Sequence, residues 1–268
     1  MKIVDVDYRP MDFKEWRGKR AQNKHVSTFI DEPCVIQVGG VPKILYDLMP
    51  CPSLFKVLSG ITYDTGSRTG GMKSTSRTFG RLPRLAIQRD YCTVCRMDKE
   101  DPLVTGFLYQ LGQRCQDLYQ KTFPRDFLFH KTCTDEINED WRLGDLVYTG
   151  GIINKNNALT YHKDMGNYKG TMSAMVVTRR DVSGGRLIIP EIDLGINLAD
   201  QTVLIFNGAD LIHGVTQVLK TQPHGVRYSV VFYTLREMRK CLPAKQELER
   251  IKKTATIRQT KRAGLTGE

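Results

Sequence analysis

A chain of 268 residues and 30.5 kDa, 40% hydrophobic, is long enough for one large domain with a packed core and too apolar for overall disorder. No apolar run nears the roughly 20 residues that span a bilayer, and residues 1–10 alternate charged with apolar side chains where a signal peptide would be apolar. A soluble, intracellular protein is expected. The 40 Lys plus Arg against 29 Asp plus Glu leave a net charge of +11, which suits a polyanionic partner, most simply nucleic acid. The 7 cysteines are scattered, and Cys92 and Cys95 form the only Cys-x-x-Cys pair. With no second pair to complete a zinc site, they are read as reduced thiols in a reducing compartment.

Residues 34–38 and 41–46 read as two short strands around Gly39-Gly40. Residues 65–84 hold Gly66, Gly70, Gly71 and Gly80 among Arg68, Lys73, Arg77, Arg81 and Arg84, with no acidic residue. That composition reads as a flexible basic loop, either merely solvated or in contact with phosphates. Over 102–123, Leu103, Phe107, Leu108, Leu111, Cys115, Leu118 and Tyr119 recur at spacings of three and four behind Asp101-Pro102. The pattern predicts an amphipathic helix packed against a sheet.

After Trp141 short strand-like runs follow one another at 146–153, 158–162, 171–178, 186–189, 202–206, 213–218 and 227–233. Turn residues such as Gly166-Asn167, Ser183-Gly184-Gly185 and Asn207-Gly208 separate them. Many short strands at regular spacing predict a sandwich or barrel. The expected fold is mainly β with flanking helices, around a double-stranded β-helix (jelly-roll, cupin-like) core. Residues 1–140 are expected to form an N-terminal α/β extension packed on that core, 141–236 the core, and 237–268 a basic C-terminal helix and tail. Within the tail, 247–253 reads as a helix, and Lys252, Lys253, Arg258, Lys261 and Arg262 as a basic, partly disordered arm.

The chemistry is read from His162, Asp164 and His213. Residues i and i+2 of a strand share a face, so His162 and Asp164 can aim together into a jelly-roll interior. His213 follows the apolar run Val203-Leu204-Ile205-Phe206 and by itself reads as a core histidine. Arg227 changes that reading. It opens an apolar strand, shares a face with Ser229, and has no acidic neighbour in the strand. A guanidinium pointing inward there needs a carboxylate from elsewhere, and a bound dicarboxylate supplies one. Two histidines and one carboxylate leave iron positions open for an α-keto acid and dioxygen. His-x-Asp, a distal His and Arg-x-Ser in this order are the signature of 2-oxoglutarate oxygenases.

Over residues 160–233 the sequence resembles the TET/J-binding-protein family of nucleic-acid-modifying Fe(II)/2-oxoglutarate dioxygenases. The resemblance lies in His162-Lys-Asp164-Met-Gly-Asn167, Gly184-Gly185-Arg-Leu-Ile-Ile-Pro190, His213-Gly-Val and Arg227-Tyr-Ser229-Val-Val-Phe-Tyr233. It implies that His162, Asp164 and His213 hold Fe(II), that Arg227 and Ser229 bind 2-oxoglutarate, and that O2 is the oxidant. It further implies DNA as partner, with the target base flipped or single-stranded. Asn167 and Tyr233 would contact that base, and Arg77, Arg81 and Arg84 the DNA backbone. The implied reaction hydroxylates the 5-methyl group of 5-methylcytosine or thymine. The vertebrate Cys-rich zinc region and the J-binding recognition insert are absent, and Leu235 stands where TET enzymes carry a histidine. The chain thus resembles a minimal form of the size found in phages and some lower eukaryotes.

Two other functions fit the same residues. One is a 2-oxoglutarate oxygenase acting on a protein side chain or a free nucleobase, and the other is a non-catalytic module that binds modified DNA. His25, His130 and His224 are read as structural or solvent-exposed.

Overall fold

The protein is described here as a computed structural model covering residues 1–67, 73–85 and 90–262, with side chains through 257 apart from that of Ser67. In the N-terminal part the strands are β1 (Lys2–Val6), β2 (Thr28–Ile30), β3 (Cys34–Val38), β4 (Val41–Leu48), β5 (Asp64–Ser67), β6 (Lys73–Leu82) and β7 (Thr93–Val94). The helices are α1 (Phe13–Trp16), α2 (Leu54–Ser59), α3 (Arg96–Glu100), α4 (Pro102–Thr122) and α5 (Pro124–Asp135). Then come β8 (Gly150–Lys155), β9 (Leu159–His162), β10 (Ser173–Arg180), β11 (Val182–Gly184), β12 (Leu187–Ile189) and β13 (Leu194–Ile196). The last strands are β14 (Thr202–Phe206), β15 (His213–Val215), β16 (Val218–Lys220) and β17 (Val226–Tyr233), and α6 (Ala244–Arg262) follows.

Among the described residues ten strands build a major sheet, ordered β1-β3-β4-β14-β10-β17-β8-β6-β5 with β7 on β6. Five build a minor sheet, ordered β2-β13-β12-β15-β9, and β11 pairs with β16. The two sheets form the expected double-stranded β-helix, and helices cover the outer face of the major one. Strand alternation sorts the side chains. Met175 and Val177 of β10 and Leu204 and Phe206 of β14 pack inward with Leu187, Ile189, Ile196 and Val215 of the minor sheet. Ala174, Val176, Val203 and Ile205 pack outward with Leu108, Leu111, Cys115 and Tyr119 of α4. Both faces are covered, which is why β10 and β14 read as continuous apolar runs in the sequence. Asp101 caps α4 by accepting from the Val104 amide at 3.2 Å, with Pro102 in the first turn.

The N-terminal residues do more than pack on the core: β3, β4 and β6 lie in the same sheet as β14, β10, β17 and β8. The flexible basic loop expected over 65–84 is corrected. Its described parts are β5 and β6, and β6 is hydrogen-bonded to β8 from Ser76↔Asn154 to Gly80↔Gly150. Arg68, Gly70 and Gly71 lie outside the described residues, as do the side chains of Arg258, Lys261 and Arg262. The expectation of reduced cysteines is also corrected, since Cys92 is disulfide-bonded to Cys241 with Cα atoms 5.9 Å apart. Cys95 is buried and outside that bond. The pairing joins positions 149 residues apart, a proximity that no local spacing announces. No helix of the described residues is long and apolar enough to cross a membrane.

Candidate metal centre

β9 and β15 are antiparallel neighbours in the minor sheet and pair His162 directly with His213. Asp164 lies two residues past the end of β9, where its amide donates to Gly208 O at 2.9 Å. One ligand atom each from His162, Asp164 and His213 falls within 4.8 Å of the others. The Nε2 atoms of His162 and His213 lie 3.5 and 3.9 Å from Asp164 Oδ1.

The ring orientations suit a metal. His162 Nδ1 lies 2.8 Å from Thr160 O and His213 Nδ1 lies 2.9 Å from Leu211 O. A carbonyl only accepts, so both Nδ1 atoms carry the hydrogen, and both Nε2 lone pairs point toward the shared centre. Burial, and then the neighbouring His162, push the His213 pKa down to about 4, so its ring is neutral at ordinary pH. Phe206 packs edge-on against His213, ring centroids 5.1 Å apart. Gly208 leaves room for the carboxylate: a Cβ there would collide with Asp164 Oδ2 and come within 3.2 Å of His213 Cε1. His213 is nearly inaccessible, whereas the side chains of His162 and Asp164 keep 33% and 29% exposure, so the centre opens on their side. Two imidazoles and a carboxylate on one face form the donor set that holds Fe(II) with positions left over.

The inner face of β17 supplies the next layer. Tyr228, Val230 and Phe232 pack outward against the helix-covered core, so Arg227, Ser229, Val231 and Tyr233 face the minor sheet. Arg227 is 2% exposed, and its Nε and Nη2 have no hydrogen-bond partner. Burial, and then Arg179 opposite it on β10, push its pKa down to about 9. Gly185, at φ +69°, lets the chain pass close by, since a Cβ there would lie 2.9 Å from Arg227 Cδ. A buried guanidinium with orphaned donors fits a bound carboxylate. Ser229 Oγ accepts from Asn154 Nδ2 at 3.4 Å, and Asn154 Oδ1 accepts from Asn157 Nδ2 at 3.0 Å. Local sequence does little to mark Asn154 and Arg179. Asn154 stands out there only as a polar residue after the apolar pair Ile152-Ile153, and Arg179 lies at the end of an apolar run.

Asn167 and Tyr233 are on adjoining segments. Asn167 forms a β-bridge with Leu235, the Tyr168 amide donates to Thr234 O at 2.8 Å, and the Arg236 amide donates to Gly166 O at 3.1 Å. Asn167 is buried, with Nδ2 donating to Ser173 Oγ at 3.0 Å, and Tyr233 is half-buried.

The three arginines expected on DNA are not brought to the site as free cations. Arg77 is buried and paired with Asp64 at 3.1 Å and Glu100 at 2.6 Å. Arg81 pairs with Asp98 at 3.2 Å, and Arg84 pairs with the buried Glu247. A stretch with no acidic residue of its own drew its partners from β5, α3 and α6, so the three arginines expected to meet phosphates also meet carboxylates of the chain. The remaining histidines are structural or exposed: His25 Nδ1 meets Tyr161 OH at 2.9 Å, His130 Nε2 meets Thr234 Oγ1 at 2.8 Å, and His224 pairs at the surface with Asp181.

Residues 89–236, more than half of the chain, match the model of the Tet_JBP family, described as the oxygenase domain of the 2OGFeDO superfamily. Among solved structures, the chain is similar to NgTET1 in complex with 5mC DNA, with a TM-score of 0.62 and 13% identity over 94% of this chain and 90% of that one. It is also similar to a 2OG-Fe(II) oxygenase family oxidoreductase from Burkholderia pseudomallei, at TM-score 0.48 and 13% identity over 72% of this chain and 86% of that one. No curated protein matches the sequence.

Proposed function

The chain belongs to the Tet_JBP family of 2-oxoglutarate/Fe(II) oxygenases, and on that premise we propose that it hydroxylates the 5-methyl group of a pyrimidine in DNA, 5-methylcytosine or thymine. One observation carries the reading: an inward arginine with orphaned donors on β17 faces the sheet that bears a His-Asp-His triad. When bound, Fe(II) with 2-oxoglutarate and O2 supplies the oxidation, in which the keto acid becomes succinate and CO2 and the methyl carbon gains a hydroxyl.

The chain's own residues bind and place the reactants. His162, Asp164 and His213 hold the metal. Arg227 pairs with the far carboxylate of 2-oxoglutarate, and the Ser229 hydroxyl donates to it; in that dry setting the charged hydrogen bonds are strong. The apolar inner residues Met175, Leu204 and Phe206 exclude water from the reacting centre. Substrate enters on the exposed side of His162 and Asp164. A base inside a duplex is out of reach, so the target is flipped or single-stranded. Tyr233 offers a stacking face to it, and Asn167, whose Nδ2 is held by Ser173, offers Oδ1.

With Arg77, Arg81 and Arg84 engaged by acids, other cations carry the phosphates. Exposed Lys169 and Arg239 flank the junction of Asn167 with Leu235, beside Arg236 and Lys240, which share the one carboxylate of Glu237. NgTET1, of the same fold, is described with 5mC DNA, which supports DNA over a protein side chain or a free base.

Nucleoside mass spectrometry after incubation with Fe(II), 2-oxoglutarate and DNA containing 5-methylcytosine tests the proposal. A hydroxymethyl pyrimidine appearing with equimolar succinate is expected. Succinate released from unchanged DNA would move the substrate to another class, and no turnover with intact DNA binding would favour the binding module. Binding should weaken steeply with salt as phosphate counterions compete.

A further inference from the structure

Behind the metal ligands lies a carboxylate that the reaction does not use. Glu191 sits in the turn Pro190–Ile192, directly after β12, and its side chain is 1% exposed. Its two oxygens reach the two segments that carry the metal ligands. Lys163, between His162 and Asp164, donates from Nζ to Oε1 at 3.3 Å. Ile212, immediately before His213, donates its amide to Oε2 at 2.5 Å. Tyr8 adds a hydroxyl donor to Oε1 at 3.2 Å, and the Arg9 amide donates to the Glu191 carbonyl at 2.7 Å, so the N-terminal segment covers the carboxylate.

A buried carboxylate is costly to desolvate and is kept where several donors meet it. Strand pairing alone leaves the place for this one. β9 and β15 pair His213 with His162, but the ladder is irregular immediately beyond, between His213 and Val215, so this pair is not held within a run of regular pairing. The Ile212 amide is taken by Glu191 Oε2. The Lys163 ammonium, besides meeting this carboxylate, donates to Asp210 O at 2.6 Å.

We propose that Glu191 is a positioning residue of the metal centre: one buried carboxylate ties the His162–Asp164 segment to the His213 segment and so sets the separation of the three ligand atoms. The assignment rests on the metal reading above. Ligand bonds tolerate only a few tenths of an ångström, so a loosened tie weakens the metal site before it unfolds the protein.

The test is anaerobic titration of the apoprotein with Co(II), read by calorimetry and by visible d–d absorption, on wild type, Glu191→Gln and Glu191→Ala, each checked for folding by circular dichroism. Glu191→Ala should bind Co(II) about 10–100-fold more weakly, as changes to groups that orient metal ligands do, with an altered absorption spectrum. Glu191→Gln keeps an acceptor for the Ile212 amide but loses the charge facing Lys163, and should fall between. If Glu191→Ala does not fold, Glu191→Gln carries the test. Wild-type affinity and spectrum in the folded variants, even with lowered thermal stability, would overturn the assignment. A wild-type protein that binds no Co(II) would instead overturn the metal reading itself.

Discussion

His162 and His213 are register partners across β9 and β15, and their rings lie 4.3 Å apart, centroid to centroid, tilted by 51°. The pairing brings two imidazoles together, and Asp164, two residues beyond the end of β9, completes the set. Each ligand should therefore be individually needed. Asp164→Asn and His162→Ala are expected to fold and to lose metal affinity by more than the roughly 10–100-fold seen for outer-shell changes. Co(II) calorimetry measures it, with succinate release as a second readout. Unchanged affinity in either variant would place the metal elsewhere.

In the proposed mechanism Arg227 serves cofactor binding and not metal binding. Burying its guanidinium without a partner is costly, so Arg227→Met should leave the ligand-free protein as stable or more stable, while removing the charged hydrogen bonds to 2-oxoglutarate. We expect Co(II) affinity to be unchanged and 2-oxoglutarate affinity to fall by about 100-fold or more, given roughly 3–5 kcal/mol for a broken buried charge pair. In thermal melts, 2-oxoglutarate should raise the wild-type midpoint and leave that of the variant in place.

Gly208 tests the space for the ligand carboxylate. A methyl group there meets the carboxylate end of Asp164 and comes within 3.2 Å of His213 Cε1, so the carboxylate must shift to make room. Gly208→Ala should thus fold with near-normal thermal stability and bind Co(II) much more weakly. Normal metal binding by this variant would show that Asp164 need not occupy the position described.

His130 gives the fold a pH dependence. Burial pushes its pKa down to about 3 from an ordinary 6.5. The folded value lies below the unfolded one, so the unfolded chain takes up the proton first as pH falls. The stabilisation is full above pH 6.5 and drains as pH drops toward 3, at no more than ~1.4 kcal/mol per pH unit. In the metal-free protein His213 draws on the same window. Denaturant unfolding at pH 7, 6 and 5 should show a shallower loss for His130→Leu than for wild type; parallel slopes would count against the assignment.

Local patterning carried the strands 34–38 and 202–206, helix α4 and the order His-x-Asp, His, Arg-x-Ser, because side-chain periodicity and the cost of an inward arginine are written into neighbouring residues. What folding alone decided are relations between distant segments. Arg77, Arg81 and Arg84 read as free cations until Asp64, Glu100, Asp98 and Glu247 arrive from other elements. Cys92 finds Cys241, and Glu191 finds Lys163 and Ile212, only once the sheets have closed. Charge and hydrogen-bond partners are chosen by proximity in space, which the order of residues along the chain does not contain.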